Sequence, residues 1–483
     1  MSNLINYLEF RAKFKPNALA IYRPDYPLTF LQLFICIKKI AKKLHQIGVR
    51  PGNLVVTCLA DQYLDWLFTL ALLHEGAVSC SNHSYSDPGG NLVPDWMIAD
   101  QALPPPLSAI QIFIGQEWVD DAMKGSIHDC VSHSLVSPQE VVRIVLTSGT
   151  TGSRKAVALR SGQLESRAKT YRAQWSAYGT EHNMMRLSTS GGFNVVLGNL
   201  MAGVPLRINT SADEVYRAIL ENQIHFLAGS PTQLASFIKV AQQKGRIISS
   251  LKAVRYGGGG LSEKLLRQLK EVAGSVDIIG AYSSTETGNS CAHLHSANLP
   301  LNGIAGFPLP GTSIQVVDEE GKCLPQGEEG LLRIKTAYMV SEYVGNPEAS
   351  QKSFKDGWFY PGDIGHIRRN GLVMIAGRSN EVINCGGVKV NLLDLDQFLL
   401  SQPKIRDAAS FGYEGKEGVM QIGVGLVADG ELDLSALEKR IQNHFGKART
   451  PSLITRLNEI PRNTMGKIMR EVLAQSNSQQ NRK

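Results

Sequence analysis

Short apolar segments alternate with amphipathic helical segments through the first half of the chain, and this alternation restricts the fold more than any other feature. Strand and helix in turn are typical of a parallel, doubly wound sheet that binds ligands at the carboxyl ends of its strands. The apolar segments that predict strands are Leu54–Leu59, Val141–Leu146, Ile224–Ala228, Leu251–Tyr256 and Val276–Ile279.

Helix boundaries are indicated by capping residues. Residues 29–48 have helical apolar spacing, with Thr29 and Gln32 forming a capping box and Gly48 as the natural stop. Ser230–Gln233 predicts another start, with proline at the first helical position. Ser211 with Glu214 predicts the cap of another helix, and further helices are predicted to begin near Asn391 and near Ser435, the last one boxed with Glu438.

The residue pattern of the sequence changes after Gly306. Glycine, proline and polar turns then alternate with short runs such as Ser313–Val317 and Gly330–Ile334, which predicts a small β-rich subdomain. From Gly377 onward we expect a separate α/β unit. At 483 residues, the chain is too long for one ordinary core, so two or three domains are expected.

Composition excludes several classes of protein. The net charge of +7 is mild, and basic residues do not cluster with aromatic ones, so we predict no nucleic-acid partner. No stretch reaches the roughly 18 apolar residues of a membrane span, and Trp66–Leu73 reads as a buried helix. Met1–Phe14 lacks a signal-peptide core, and the seven cysteines are scattered. We therefore expect a cytoplasmic protein without disulfides or a zinc site.

The segment Leu146–Lys155, L-T-S-G-T-T-G-S-R-K, directly follows a predicted strand. Gly149 and Gly152 let the backbone wrap closely around a ligand, and Lys155 adds a positive charge. Hydroxyls that can donate to anionic oxygens belong to Thr147, Ser148, Thr150 and Thr151. This composition predicts a phosphate-binding loop. A Walker loop is not predicted, since Gly466–Lys467 is followed by isoleucine.

Four further motifs follow in order: A-Y-S-S-T-E at 281–286, D-G-W-F-Y-P-G-D-I-G at 356–365, G-R-S-N-E-V-I-N-C-G-G at 377–387 and P-R-N-T-M-G-K-I-M-R at 461–470. With the phosphate loop, they resemble the motifs of the adenylate-forming superfamily over nearly the whole chain. That superfamily includes acyl- and aryl-CoA synthetases, stand-alone adenylation enzymes and luciferases. The resemblance implies activation of a small carboxylic acid as its acyl-adenylate, with ATP and Mg²⁺ as cofactors.

The resemblance also implies a role for each motif. A carboxylate is a weak nucleophile that ATP repels, so cations are needed at the phosphates. Glu286 is expected to bind Mg²⁺ together with Thr147, and Thr285 to contact phosphate. Lys467 is expected to bridge the carboxylate and the α-phosphate, which completes the catalytic set of Lys467, Thr285 and Glu286.

Nucleotide binding is assigned in the same way. Asp363 and Arg378 are expected at the ribose, and Tyr282 is suited to stacking on adenine opposite the backbone of the glycine run. The full nucleotide-binding set is Thr147, Ser148, Gly149, Thr150, Thr151, Gly152, Lys155, Gly257, Gly258, Gly259, Ala281, Tyr282, Asp363 and Arg378.

The implied fold is α/β: a large N-terminal domain of doubly wound subdomains and a small β-rich subdomain, followed by a small mobile α+β C-terminal domain. The expected boundaries are an adenylation domain at 1–376, a hinge at 377–380 with Asn380 as pivot, a C-terminal domain at 381–475 and a frayed polar tail at 476–483. Gly386 and Gly387 would let a pantetheine arm pass close to the backbone.

The chain departs from the family pattern near the acyl site. Arg154 and Ala156 stand where proline and glycine are usual, and neither change removes a phosphate donor. Residues 187–191 lack the histidine of many acid–CoA ligases and offer only hydroxyls, which disfavours ordinary fatty acids and free α-amino acids. The acyl pocket is expected near 191–195, 230–233 and 257–282, where Phe193, Val195 and Phe226 suggest an apolar acid.

Three functions remain open at this point. The leading hypothesis is an acid–CoA ligase, and the second is a ligase that loads the phosphopantetheine of an acyl-carrier protein. A nucleotide-binding protein without catalysis is the third. The joint presence of Lys155, Glu286, Asp363, Arg378 and Lys467 argues against it.

Overall fold

The computed structural model describes residues 4–23, 26–82, 84–85, 87, 92–103, 109–124, 136–147, 154–175, 178–208, 211–222, 224–245, 248–295, 303–379, 381–385, 388–415, 420–462 and 468–480. The chain divides into two compact units. The large unit comprises Met1–Gln315, Arg333–Pro361 and Asn370–Val373, and the small unit comprises Val316–Leu332, Gly362–Arg369 and Met374–Lys483. Among the described residues, no helix combines the length and the apolar character that crossing a membrane requires.

The secondary structure alternates between helices and strands in the large unit and mixes them in the small one. In the described part of the chain, the α-helices are α1 Leu4–Phe14, α2 Phe30–Ile47, α3 Gln62–Glu75, α4 Gln116–Lys124, α5 Ser161–Trp175, α6 Ser190–Ala202, α7 Ala212–Asn222, α8 Pro231–Lys244, α9 Glu263–Ala273, α10 Pro347–Ser353, α11 Leu392–Leu400, α12 Leu434–Phe445 and α13 Arg470–Gln480. The strands are β1 Leu19–Ile21, β2 Leu28–Thr29, β3 Leu54–Cys58, β4 Val78–Ser81, β5 Trp96–Ala99, β6 Ile110–Phe113, β7 Val141–Thr147, β8 Lys155–Arg160, β9 Glu181–Asn183, β10 Phe226–Gly229, β11 Ala253–Gly257, β12 Asp277–Ser284, β13 Gly288–Leu294, β14 Ile304–Pro308, β15 Thr312–Val317, β16 Gly330–Thr336, β17 Phe354–Lys355, β18 Trp358–Phe359, β19 Asp363–Ile367, β20 Val373–Arg378, β21 Val382–Cys385, β22 Val388–Asn391, β23 Ile405–Glu414, β24 Met420–Ala428 and β25 Leu453–Arg456.

Two mainly parallel sheets form the framework of the large unit. One sheet has the order β6-β5-β3-β4-β7-β8 and is parallel except for the last pair, β7 and β8. In the other, β9, β10, β11 and β12 are parallel neighbours, and β13 and β14 continue the sheet antiparallel. This is the predicted doubly wound arrangement, and the candidate site residues follow the carboxyl ends of β7, β11 and β12.

Two of the predicted helix starts are confirmed together with their capping residues. Thr29 and Gln32 form both hydrogen bonds of a capping box at α2, and Gly48 ends that helix with a left-handed φ of 110°. Ser230 and Gln233 form the same box at α8. In α3, Asp61 accepts hydrogen bonds from two backbone amides of the first turn, a cap that the sequence analysis did not identify.

Apolar faces of these helices pack on the sheets. Phe30 and Leu33 of α2 and Trp66 of α3 lie in the largest buried cluster, whereas Phe237 of α8 and Leu269 of α9 lie in a second one. Each such side chain contributes about 1.5–3 kcal/mol when fully buried. The buried helix that was predicted at Trp66–Leu73 lies inside α3.

The small unit has its own core. Antiparallel β23 and β24 and the parallel β25 form a three-stranded sheet, and residues of α11 and α12 pack with it. Leu395 and Leu399 of α11, Val424 of β24 and Ile441 of α12 are all buried in this cluster.

One local prediction in the small unit, the residue that caps α12, was wrong. The side chain that caps α12 is Asp433, which accepts from the Ala436 amide, and not Ser435. Asp and Ser are equally good caps, so two candidates two residues apart could not be separated locally. Helix α13 continues to Gln480, so the segment predicted as a frayed tail is helical up to that residue.

Candidate active site

The two ends of the predicted phosphate loop lie side by side. Thr147 ends β7 and is the antiparallel partner of Lys155, which begins β8. The Thr147 hydroxyl donates to the Lys155 carbonyl oxygen at 3.3 Å. Ser148, Gly149, Thr150, Thr151 and Gly152 lie outside the described residues. Arg154, at the position of the usual proline, donates from Nη1 to Asn82 Oδ1 at 3.0 Å and so ties this loop end to the end of β4.

Thr285 and Glu286 lie in the turn between β12 and β13. The Thr287 amide donates to Ser284 Oγ at 3.0 Å, which closes this turn. Buried Arg167 of α5 donates to the carbonyl oxygens of Thr285 and Glu286 at 2.9 and 3.0 Å. Burial lowers the pKa of the Arg167 guanidinium to about 10, so it remains charged at neutral pH. The turn is therefore held by a fixed cation that bonds its backbone.

The side chain of Glu286 is buried, with 8% of the residue exposed. Tyr343 donates its hydroxyl to Glu286 Oε1 at 2.6 Å. Within the described part of the chain, no lysine, arginine or histidine forms a salt bridge with this carboxylate. Arg167 attracts this carboxylate electrostatically, but its guanidinium bonds the backbone carbonyl oxygen of Glu286. A buried carboxylate that forms no salt bridge is stabilised further when a cation binds it. Carboxylate oxygen is also the ligand type that Mg²⁺ prefers, so the residue fits the predicted metal site.

Lys155 contacts the ring of Tyr343, the residue that donates to Glu286. Its Nζ lies 4.6 Å from the centroid of the Tyr343 ring, within the range of a cation–π contact. The structure thus brings together Lys155 and Glu286, which the sequence predicted, with Tyr343 and Arg167, which it did not. Tyr343 lies 57 positions beyond Glu286, and nothing local in the sequence marks their contact.

The glycine run and the motif with Tyr282 lie on adjacent strands. Gly257 ends β11 and is the parallel partner of Ala281 in β12. A Cβ on Gly257 would lie 3.3 Å from the Ala281 carbonyl oxygen, and Gly258 has a left-handed φ of 82°. Because L-residues rarely adopt that φ, glycine is required at Gly258. The predicted base-binding residues Gly257, Gly258, Gly259, Ala281 and Tyr282 therefore border one end of this sheet.

A largely buried cluster of one tyrosine and two histidine rings lies next to β12. Tyr256 Oη lies 2.6 Å from His295 Nε2 and 3.3 Å from His293 Nε2. Gly280 lies between them, and a Cβ there would approach His293 Cε1 to 2.2 Å. Burial lowers the pKa of His293 to about 4, with a further decrease from the adjacent His295. Both histidine pKa values are lowered, which favours neutral rings at physiological pH.

The apolar residues expected near the acyl pocket are buried in the core, and a nearby hydroxyl caps a helix. Phe193, Val195 and Phe226 are each at most 1% exposed and belong to core clusters. Thr189 caps α6 by accepting from the Gly192 amide at 3.1 Å. The apolar character of these three residues therefore reports core packing and gives no information about the acid.

The ribose candidates lie together in the small unit. Arg378 Nε is 3.1 Å from Asp363 Oδ1, and the aspartate is buried. Gly362 has a left-handed φ of 79°, and its carbonyl oxygen accepts from the Ser379 amide at 2.7 Å. The geometry presents a carboxylate and a guanidinium at one turn, a combination suited to hydroxyl groups and phosphate oxygens.

The chain on both sides of Lys467 is anchored by ion pairs. Arg462 donates to both oxygens of Asp407 at 2.8 and 3.1 Å. Arg470 Nη2 donates to Asp396 Oδ2 at 2.7 Å, and Ser410 donates to Asp396 Oδ1. Lys467 itself lies outside the described residues, as do Asn380, Gly386 and Gly387.

Comparison with known proteins decides the family. The family model described as "AMP-binding enzyme" matches residues 99–344, which is more than half of the chain. The chain belongs to the AMP-binding enzyme family. The predicted adenylate-forming family, its fold class and the assignment as a ligase are thereby confirmed.

Relatives of this AMP-binding enzyme match it from end to end. A "2-succinylbenzoate--CoA ligase" of Bacillus licheniformis is 26% identical over 97% of this chain and 99% of its own length. The Bacillus subtilis o-succinylbenzoate CoA synthetase has been solved with its acyl-adenylate intermediate OSB-AMP. That structure has a TM-score of 0.85 and 21% identity, covering 97% of both chains. The same enzyme solved with ATP and magnesium ion has a TM-score of 0.84 and 20% identity, covering 96% of this chain and 98% of that one.

Proposed function

We propose that this AMP-binding enzyme activates a carboxylic acid with ATP and transfers the acyl group to coenzyme A. The observation that carries the proposal is the buried Glu286 carboxylate, which has a neutral phenol as its hydrogen-bond donor and no salt bridge within the described residues. Lys155 contacts the same phenol and supplies a cation for phosphate. The end-to-end similarity to CoA ligases supports the second half of the reaction.

Each residue of the proposed site binds or orients. Glu286 would hold Mg²⁺, and the ion would neutralise charge on the polyphosphate. Lys155 and the loop hydroxyls, including Ser148 and Thr151, would contact phosphate oxygens. Asp363 would accept from the ribose hydroxyls, with Arg378 beside it. Tyr282 would stack on the base.

The chemistry then proceeds in two steps. A carboxylate oxygen of the acid attacks the α-phosphorus of ATP, and the bond from that phosphorus to the bridging oxygen breaks, so pyrophosphate leaves. The thiol of coenzyme A next loses its proton and attacks the acyl carbon. The bond between this carbon and the AMP oxygen breaks, which releases AMP and the thioester.

The first candidate for the acid is 2-succinylbenzoate. Its support is the similarity to the ligase of Bacillus licheniformis, since the core location of Phe193, Val195 and Phe226 removes the sequence argument for an apolar acid. Coenzyme A is proposed over a carrier protein on the same similarity. The proposed site of action remains the cytoplasm.

Acid-dependent ATP–pyrophosphate exchange tests this function. We expect exchange with 2-succinylbenzoate in the presence of Mg²⁺ and much less with fatty acids, benzoate or α-amino acids. Exchange with a different acid alone would support adenylation but would overturn the proposal that the acid is 2-succinylbenzoate. Absence of exchange with every acid, while ATP binding is measurable, would overturn the proposed function. Coenzyme A and an acyl-carrier protein are then compared as acceptors.

Lys467 is proposed to bridge the carboxylate and the α-phosphate. Lys467→Ala should retain ATP binding and slow adenylation by about 10²- to 10³-fold, as expected for a lost electrostatic contact in the transition state. Single-turnover formation of acyl-adenylate measures this, with Lys439→Ala on α12 as the control. An adenylation rate equal to that of the unaltered enzyme would remove Lys467 from the mechanism.

A further inference from the structure

We propose that Tyr343 is a positioning residue that sets the Glu286 carboxylate and the Lys155 ammonium as a pair for binding metal and polyphosphate. The inference rests on the proposed function, because it assumes that these two groups meet Mg²⁺ and ATP. Tyr343 lies outside all five motifs, in the segment S-E-Y-V-G-N-P.

The hydroxyl of Tyr343 constrains the carboxylate. It donates to Glu286 Oε1 at 2.6 Å, and both residues are buried. Hydrogen bonds of this length to ionised carboxylates are about twice as strong as neutral ones, and low-dielectric surroundings strengthen them further. The bond fixes one oxygen of the carboxylate and thereby orients the other, Oε2. A metal ligand held in this way loses little entropy when the ion binds.

The ring of Tyr343 constrains the lysine. Lys155 Nζ lies 4.6 Å from the ring centroid, and such a contact contributes about 0.5–2 kcal/mol. One side chain thus links an anion for the metal with a cation for phosphate, without the two neutralising each other directly.

Tyr343 is itself held by contacts that do not involve its hydroxyl. Its amide donates to Ser350 Oγ at 2.9 Å, and its ring packs edge-on to Phe354 at a centroid distance of 5.3 Å. The Val340 amide separately donates to the Glu286 carbonyl oxygen at 3.0 Å. These contacts remain when the hydroxyl alone is removed, so Tyr343→Phe is expected to fold normally.

Two substitutions separate the two actions. Tyr343→Phe removes the bond to Glu286 and keeps the ring beneath Lys155, whereas Tyr343→Leu removes both. The matched control is Tyr338→Phe, because the Tyr338 hydroxyl donates to the Asn289 carbonyl oxygen at 3.2 Å and not to Glu286. Thermal unfolding checks that each variant is folded.

The readout is ATP binding measured by calorimetry at a series of Mg²⁺ concentrations and in excess EDTA. Tyr343→Phe should raise the Mg²⁺ concentration for half-maximal ATP binding about tenfold, as expected for a lost hydrogen bond to a charged group. Its ATP affinity in EDTA should be unchanged. Tyr343→Leu should show the same Mg²⁺ shift and also weaken ATP binding in EDTA by about threefold. Tyr338→Phe should show neither change.

A double-mutant cycle distinguishes positioning from a general structural role. In a Glu286→Gln background, Tyr343→Phe should cause no further Mg²⁺ shift, because the metal ligand is already lost. Additive shifts, or a Tyr343→Phe variant with the Mg²⁺ dependence of the unaltered enzyme, would overturn the inference. Because the readout is binding, that failure is distinct from absence of acid-dependent exchange in the unaltered enzyme, which concerns the proposed function.

Discussion

Two buried carboxylates, Glu286 in the large unit and Asp396 in the small unit, are stabilised in different ways. They are 8% and 4% exposed, so both have lost most of their hydration. Asp396 lies 2.7 Å from the Arg470 guanidinium and accepts from the Ser410 hydroxyl and amide. Glu286 accepts from a neutral phenol, and its turn is held by Arg167 through carbonyl oxygens.

The difference separates a structural carboxylate from a ligand-binding one. Asp396 has its counter-ion, Arg470, within the protein, although burial still raises the pKa of its carboxyl above the usual value. This pair fixes the chain next to the lysine motif. The charge of Glu286 is not balanced by a salt bridge in the described residues. Arg167 attracts it from the backbone side of the turn, so a ligand cation would add a direct contact to the carboxylate. Burial and partner type together are therefore more informative than burial alone.

The largest expected effect on stability comes from breaking the ion pair between Arg470 and Asp396. Arg470→Met leaves Asp396 buried without its counter-ion and should lower the free energy of unfolding of the small unit by about 3–5 kcal/mol. All five tryptophans lie in the large unit, so hydrogen exchange of β23 and β24 is the suitable measurement.

Arg462→Gln is the matched control for Arg470. Its pair with Asp407 is half-exposed, with side chains 37% and 30% exposed, so the loss should be below about 1 kcal/mol. Equal losses for the two variants would mean that burial does not distinguish these ion pairs.

A second expected effect is a pH dependence of stability, which arises because His293 is buried in the large unit in its neutral form. The pKa of His293 falls to about 4 in the folded chain from an ordinary value near 6.5. Between these values, the unfolded chain binds the proton and the folded chain does not, so stability is complete above pH 6.5 and decreases as pH falls toward 4. The loss should approach about 3 kcal/mol.

Denaturant unfolding followed by tryptophan fluorescence at several pH values measures this loss. His293→Asn should flatten the dependence between pH 6.5 and 4, although His295 leaves a residual slope because burial also lowers its pKa. An unaltered slope in the variant would show that the imidazole of His293 is not the group that titrates.

The smallest effect on stability is expected for substitution of Glu286, the carboxylate assigned to ligand binding. Glu286→Gln keeps an acceptor for the Tyr343 hydroxyl and removes a buried charge, so the free energy of unfolding should change by less than about 1 kcal/mol. Mg²⁺-dependent ATP binding should nevertheless weaken strongly. A destabilisation as large as that of Arg470→Met would place Glu286 among the structural carboxylates and contradict the comparison.

Local sequence patterns predicted the elements and the motif positions well. The capping box of α2 and the start of α8 at Ser230 and Gln233 were predicted correctly because they depend on residues three positions apart. The strands that lead to the phosphate loop and to Tyr282 were also predicted from short apolar runs, although β12 continues through Tyr282 to Ser284.

Contacts distant in sequence could not be predicted. Arg167 bonds Thr285 across 118 positions, and Tyr343 bonds Glu286 across 57. Such contacts are set by how helices and loops pack on the sheets, and a single arginine or tyrosine has no local signature of that role. The same reason explains why Phe193 suggested a pocket from its position, whereas it is fully buried in the core.

The central claim is that the enzyme forms an acyl-adenylate and transfers its acyl group to coenzyme A. The most direct test is a single turnover with excess enzyme, 2-succinylbenzoate and ATP labelled at the α-phosphate. Without coenzyme A, the label should accumulate in an acyl-adenylate, and addition of coenzyme A should convert it to AMP as the thioester forms. Label that passes to ADP, or to AMP at a rate independent of the acid, would contradict the account.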